Sequence, residues 1–193
     1  GKDPAAGVPI TIMSEGISSR GDGVPHIYTT QEVSSEKGGR FVFERVLPGR
    51  ARIGRNLKLT PADGAREATS SCLFDVDFVA GATTQVDLGG SGRAVVGTLR
   101  PPRGFRGTVN WAFALIDVRP DGDGTENGLS CAATVDREGN FRLDDLPKGE
   151  YLLSAQFSRQ PAGSLFGYRF VVPRTTEELE QPIDLGALDL NSQ

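Results

Sequence analysis

Gly39-Arg40-Phe41-Val42-Phe43-Glu44-Arg45-Val46-Leu47-Pro48-Gly49 returns one hundred residues later as Gly139-Asn140-Phe141-Arg142-Leu143-Asp144-Asp145-Leu146-Pro147-Lys148-Gly149. In both stretches a Gly precedes alternating apolar residues, Phe41 and Phe43 or Phe141 and Leu143. Successive strand side chains face opposite ways, so each pair shares one face, and that face is expected to be core. A Pro then presets one φ, and the following Gly admits the positive φ that a tight reversal demands. The chain is expected to come back antiparallel, with Ala51 and Ile53 in one copy and Tyr151 and Leu153 in the other in phase with the strand before.

Outward from this repeat the pattern continues. Thr84-Gln85-Val86-Asp87-Leu88-Gly89 corresponds to Gln181-Pro182-Ile183-Asp184-Leu185-Gly186 at an offset of 97. Two copies of one domain account for both matches, with a few residues of loop change between them. Their natural boundary is Gly89-Gly90-Ser91-Gly92, which places a β-sandwich domain at 1–90 and another at 91–193, each near the usual size of that fold. Short apolar or alternating runs bounded by Gly, Pro, Asp and Asn recur along the whole chain. Helical periodicity is confined to Thr175-Thr176-Glu177-Glu178-Leu179-Glu180. The expected class is therefore all-β, as two tandem sandwiches of prealbumin-like or Ig-like Greek-key type.

Composition narrows the function. The 193 residues hold 21 Lys and Arg against 25 Asp and Glu, for a net charge of −4. That balance disfavours a nucleic-acid binder, which needs clustered positive charge. The longest unbroken apolar run, Trp111 to Ile116, is six residues, against roughly 20 for a membrane-crossing helix. Gly1 to Gly7 contain no basic segment followed by an apolar one, so no leader is visible there. Cys72 and Cys131 lack the neighbouring Cys or His of a structural zinc site. Two cysteines do not make a disulfide framework. Buried free thiols are the expected state, with a Cys72–Cys131 bridge as the alternative.

Candidate chemistry is sparse. His26 is the one His, and with no Gly-x-Ser-x-Gly elbow or Cys–His pairing it reads as a strand-edge residue. Asp75 with Asp77, and Asp144 with Asp145, are the available carboxylate pairs. Alternation of Asp75 and Asp77 with Phe74, Val76 and Phe78 reads as a solvated face opposite a core face. Asp121 to Gly128 resembles a hard-cation loop, yet Glu126 stands where that loop requires Gly and Ala132 where it requires a bidentate Glu. Arg20-Gly21-Asp22, the loop arginines Arg100, Arg103 and Arg106, and the few lysines that could form an isopeptide bond all take the bland reading. Val109, Trp111, Phe113 and Leu115 alternate, which places the single Trp on a core face. No catalytic, cofactor-binding or metal residue is assigned.

Gly-x-Phe-x-Phe/Leu, then Leu/Val, Pro, Gly and an aromatic or aliphatic strand, resembles the carboxypeptidase regulatory-like domains, a transthyretin-like branch of β-sandwiches. Pro4-Ala5-Ala6-Gly7-Val8-Pro9-Ile10-Thr11-Ile12 looks like their second strand, and Arg93-Ala94-Val95-Val96-Gly97-Thr98-Leu99 like their opening strand. The first copy has no equivalent of that opening strand. The resemblance implies non-enzymatic accessory modules of a larger exported or envelope protein, without cofactors, serving as spacers or as contacts for an unknown protein or glycan. An extracytoplasmic location rests on the same resemblance. A function from another class, a carbohydrate-binding module, requires Trp111, Tyr151, Phe166 and Tyr168 to be exposed together on one face.

Overall fold

A computed structural model describes residues 6–16, 27–59, 68–90, 92–122, 128–157, 163–174 and 181–191. Its strands are β1 (Pro9–Gly16), β2 (Ile27–Ser34), β3 (Gly49–Leu59), β4 (Ala68–Phe78), β5 (Arg93–Arg100), β6 (Ala114–Pro120), β7 (Ser130–Thr134), β8 (Asn140–Leu146), β9 (Gly149–Phe157), β10 (Leu165–Val172) and β11 (Ile183–Asp189). Among the described residues the only helical element is a 3-10 turn at Trp111–Phe113. Among the described residues no helix is long and apolar enough to cross a membrane. The all-β class follows from the alternating pattern and from the density of turn-forming Gly, Pro and Asp.

The chain divides into two compact units. The first comprises Gly1–Leu57, Leu73–Leu88 and Glu126–Leu129, and the second Lys58–Cys72, Gly89–Thr125 and Ser130–Gln193. In the first unit β1 lies between β2 and β3, antiparallel to both, with Ile12 opposite Gln31 and Ile53. Strand β4 follows β3 in the order. The core is Ile10, Ile12, Ala51 and Ile53, flanked by Val33, Phe41, Phe43, Val46, Val76, Phe78, Val86 and Leu88.

The second unit repeats that layout and adds a layer. Strand β6 lies between β7 and β9, again antiparallel to both, and β10 pairs with β9. A second sheet has the order β11-β5-β8. Val95 and Leu99 of β5, Phe141, Leu143 and Leu146 of β8, and Ile116, Val118 and Leu153 are all buried between the layers. Close-packed apolar burial of this kind is the main stabilising term in such a sandwich.

The turns that precede residues 40–46 and 140–146 have the same hydrogen-bond pattern. In one copy the Glu36 amide donates to the Arg40 carbonyl (2.7 Å) and the Gly39 amide to the Glu36 carbonyl (2.9 Å). In the other, the Asp136 amide donates to the Asn140 carbonyl (2.9 Å) and the Gly139 amide to the Asp136 carbonyl (3.2 Å). Gly39 and Gly139 have φ of 74° and 86°. At Gly139 a Cβ would approach the Leu99 carbonyl at 2.7 Å, so glycine is demanded by space as well as by backbone.

Three expectations are corrected. First, residues 40–46 form no strand, although their counterparts 140–146 are β8. Phe41 and Phe43 still point at the core and meet edge to face at 6.2 Å, but only partly buried. Second, Trp111 and Phe113 sit in the 3-10 turn, which Asn110 caps by accepting the Ala112 amide (3.2 Å). The turn shifts the phase of β6, so that Ala114, Ile116 and Val118 face inward while Leu115 is 41% exposed. Third, Cys72 and Cys131 are joined in a disulfide, not held as free thiols. Strand order places β4 next to β7 and brings their Cα atoms to 4.0 Å, a neighbourhood that a separation of 59 residues does not reveal.

Candidate functional site

Two features of the first unit stand out once the structural side chains are accounted for. One is a groove of about 480 Å³ lined by Met13, Thr30, Arg50, Arg52, Asp75 and Gly128, among others. Alternation along β3 sends Ala51 and Ile53 to the core, and therefore Arg50 and Arg52 to the opposite face of the sheet. Asp75 comes from β4 by the same rule, because Val76 and Phe78 pack inward. Its carboxylate forms an ion pair with Arg50 and lies 3.8 Å from the Arg52 guanidinium. Gly128, at φ 48°, lies so close to that carboxylate that a Cβ would collide with it. Farther along the same face the Asn56 amide donates to the Thr11 hydroxyl (2.7 Å), which donates to Glu32 (3.2 Å). Two guanidiniums against one carboxylate leave one positive charge at the groove, which suits polar or anionic contacts.

The other feature is the layer opposite β1 and β3. Phe41, Phe43, Val46, Val86 and Leu88 cover the core without forming a sheet. Residue 42, between the two rings, is a valine 69% exposed. Among the described residues, the one hydrogen bond reaching residues 41–47 is from the Gln31 amide to the Arg45 carbonyl (2.9 Å), and none reaches 83–88.

The carboxylates singled out from sequence are separate structural groups. Asp75 pairs with the two arginines while Asp77 is exposed. Asp144 pairs with Arg142 at 2.7 Å, and Asp145, a non-glycine at φ 65°, accepts the Gly90 and Gly92 amides at 2.7 Å each. Asp121 pairs with Arg169 at 3.1 Å, whereas residues 123–127 of the same loop lie outside the described residues. His26 and Arg20-Gly21-Asp22 also lie outside them. Among the described residues no group of three potential metal ligands converges. Arg100, Arg103 and Arg106 are exposed on and after β5.

The aromatic residues required by a glycan-binding reading are not presented together, which corrects that expectation. Tyr151 is buried, stacks on Phe170 at 5.5 Å and donates its hydroxyl to the Pro147 carbonyl (2.8 Å). Burial pushes its pKa up to about 12. Trp111 packs on Phe157 at 5.8 Å, and Tyr168 is half-buried. Phe166 alone is open, at 67% exposure. Sequence reasoning misses the arginine pair although its signal is present: Gly49-Arg50-Ala51-Arg52-Ile53 alternates charge with small or apolar residues, as a two-faced strand does.

No family model matches the chain, and no curated protein matches it. Among solved structures, a streptococcal ancillary pilin is similar, with 17% identity and a TM-score of 0.33, over 98% of this chain and 59% of the pilin. The chain thus spans about three-fifths of that neighbour's length. A likeness at this level carries no functional argument.

Proposed function

We propose that the chain is a non-enzymatic structural and contact module of a larger exported protein, built as two sandwich domains with their covalent boundary near residue 90. The observation that carries this reading is the Cys72–Cys131 disulfide, with Cys131 fully buried in β7. Disulfides persist in oxidising compartments, and one that closes a 59-residue loop limits how far a stretched chain can extend. The engagement of Asp75, Asp121, Asp144 and Asp145 in ion pairs and backbone caps is in keeping with a structural role.

Single-molecule stretching of the whole chain tests the spacer role. Two unfolding events are expected, and reduction should lengthen the fully stretched chain by about 20 nm, since 59 residues extend at about 3.6 Å each. One unfolding event, or a length unchanged by reductant, would sink the reading.

A further inference from the structure

The two ends of the second unit carry opposite charge. No Asp or Glu occurs between Asp87 and Asp117, and within that span the end of β5 and the loop after it hold Arg100, Arg103 and Arg106, all exposed. Their guanidiniums have no ion-pair or hydrogen-bond partner among the described residues, whereas Arg142 and Arg169 of the same unit pair with Asp144 and Asp121. The loop is held in shape. The Phe105 amide donates to the Pro102 carbonyl (3.0 Å), and Gly104 between them has φ 82°, as the third position of a type II turn needs. Pro102 lies against Gly163, where a Cβ would be 2.8 Å from the proline ring, and the Phe105 ring lies over Gly107. The turn therefore presents Phe105, 39% exposed, between Arg103 and Arg106. The 136–139 turn reaches the same end, because the Leu99 amide donates to the Gly139 carbonyl (2.9 Å), and it adds Arg137 against Asp136 and Glu138. Asp189 lies beside Arg100. Four arginines against three carboxylates leave this end at +1 in a chain of net charge −4.

The opposite end lies where β10 stops and β11 starts. Val172 pairs with Gly149, the first residue of β9, and Ile183 lies beside Val95 near the start of β5. The seven residues of β11 put about 20 Å between the two ends. Between Val172 and Ile183 the chain reads Pro-Arg-Thr-Thr-Glu-Glu-Leu-Glu-Gln-Pro, of which residues 175–180 lie outside the described residues. With Arg174 counted, this stretch has a charge of −2. Around it Arg93 and Lys148 are matched by Glu150 and Asp184, and Asp145 adds a further negative charge. Its glutamates flank Leu179 as the arginines flank Phe105.

We infer that the 100–106 loop is a docking surface for a second copy of this chain, which it meets through that copy's 175–180 segment. Guanidiniums and carboxylates would pair by charge-assisted hydrogen bonds, with Phe105 and Leu179 as the apolar contact at the centre. Charge complementarity selects this occupant, since each end repels its like and attracts the other. Because loop and segment belong to opposite ends of one unit, the pairing runs between copies. Such a contact is heterologous, so it extends into a chain of copies instead of closing on itself.

This inference deepens the contact-module reading and rests on it, yet fails separately: that reading fails on extension length, this one on association. The test is sedimentation equilibrium of the full chain at two ionic strengths. At about 20 mM salt the average mass should rise past that of a dimer as protein approaches about 1 mM, and at about 500 mM salt the association constant should fall about tenfold or more, as screening of exposed charges requires. Arg103→Glu with Arg106→Glu should abolish association, and so should Glu177→Arg with Glu178→Arg. An equimolar mixture of these two double variants should associate again, because the acidic loop of one then meets the basic segment of the other. The wild-type salt series decides the matter if a variant does not fold. A monomer throughout, a mass that stops at the dimer, or association indifferent to salt or to either double variant overturns the inference. So does a mixture that stays monomeric while both variants keep the wild-type circular dichroism spectrum.

Discussion

Residues 40–46 and 140–146 begin from the same turn, carry the same Phe and are followed three residues on by the same Gly, yet only the second stretch is a strand. The difference lies outside both of them. Strand β5 supplies residues 140–146 with a hydrogen-bonded partner and covers Phe141 and Leu143. Residues 40–46 have the inward-facing rings without that partner. Apolar alternation thus fixes which side chains turn inward, while the ladder that makes a strand depends on a neighbour that local sequence cannot supply.

This contrast can be broken most forcefully at the two phenylalanines. Phe141→Ala should cost about 3–5 kcal/mol by urea denaturation, as for a fully buried ring, and Phe41→Ala about half of that. Equal costs would mean that the first copy is as well closed as the second. The disulfide comes next: Cys72→Ser with Cys131→Ala should lower stability by about 2–4 kcal/mol, given the 59-residue loop. Reduction of the wild type should reproduce most of that loss, and a reduced protein of unchanged stability would contradict it.

Asp145 sharpens the comparison further, because its counterpart one hundred residues earlier is the exposed Arg45. Asp145→Ala should cost about 1–3 kcal/mol, from two lost caps and an alanine forced to positive φ. Arg45→Ala should be close to neutral, and thermal melts of the two variants would show the asymmetry. The smallest effect is expected at Tyr151, whose counterpart is Ala51. Tyr151→Phe should cost about 1 kcal/mol at pH 7 by losing the bond to the Pro147 carbonyl.

The same residue makes a pH prediction. The folded state holds the Tyr151 proton up to about 12 against an ordinary value of 10.0. Between these values the unfolded chain binds fewer protons, so stability falls as pH rises through that window. The Tyr151→Phe variant should lack up to about 3 kcal/mol of this decline, because each tenfold difference in proton affinity between the folded and unfolded chain corresponds to about 1.4 kcal/mol. Parallel pH curves for wild type and variant would refute it.

Much of the fold is legible in the sequence because alternation and turn residues are local signals. The all-β class, the inward placement of Phe41, Phe141 and Leu143, and the solvent-side placement of Asp75 and Asp77 all follow from period two. Period two misplaces Trp111 because one 3-10 turn, held by Asn110, resets the phase of everything after it. The disulfide is obscured because it depends on strand order, which a spacing of 59 residues does not encode. At the groove, Arg50 and Arg52 are readable as a surface stripe, but their convergence on Asp75 needs β3 and β4 laid side by side.

The glycines around residue 90 look in sequence like a swivel, yet one carboxylate grips the backbone on both sides of Ser91. A protease needs several residues of slack chain to thread its cleft, and here that slack must first be prised from Asp145. Nicking at this glycine-rich stretch should accordingly be slow until the carboxylate is removed, and quicken when it is.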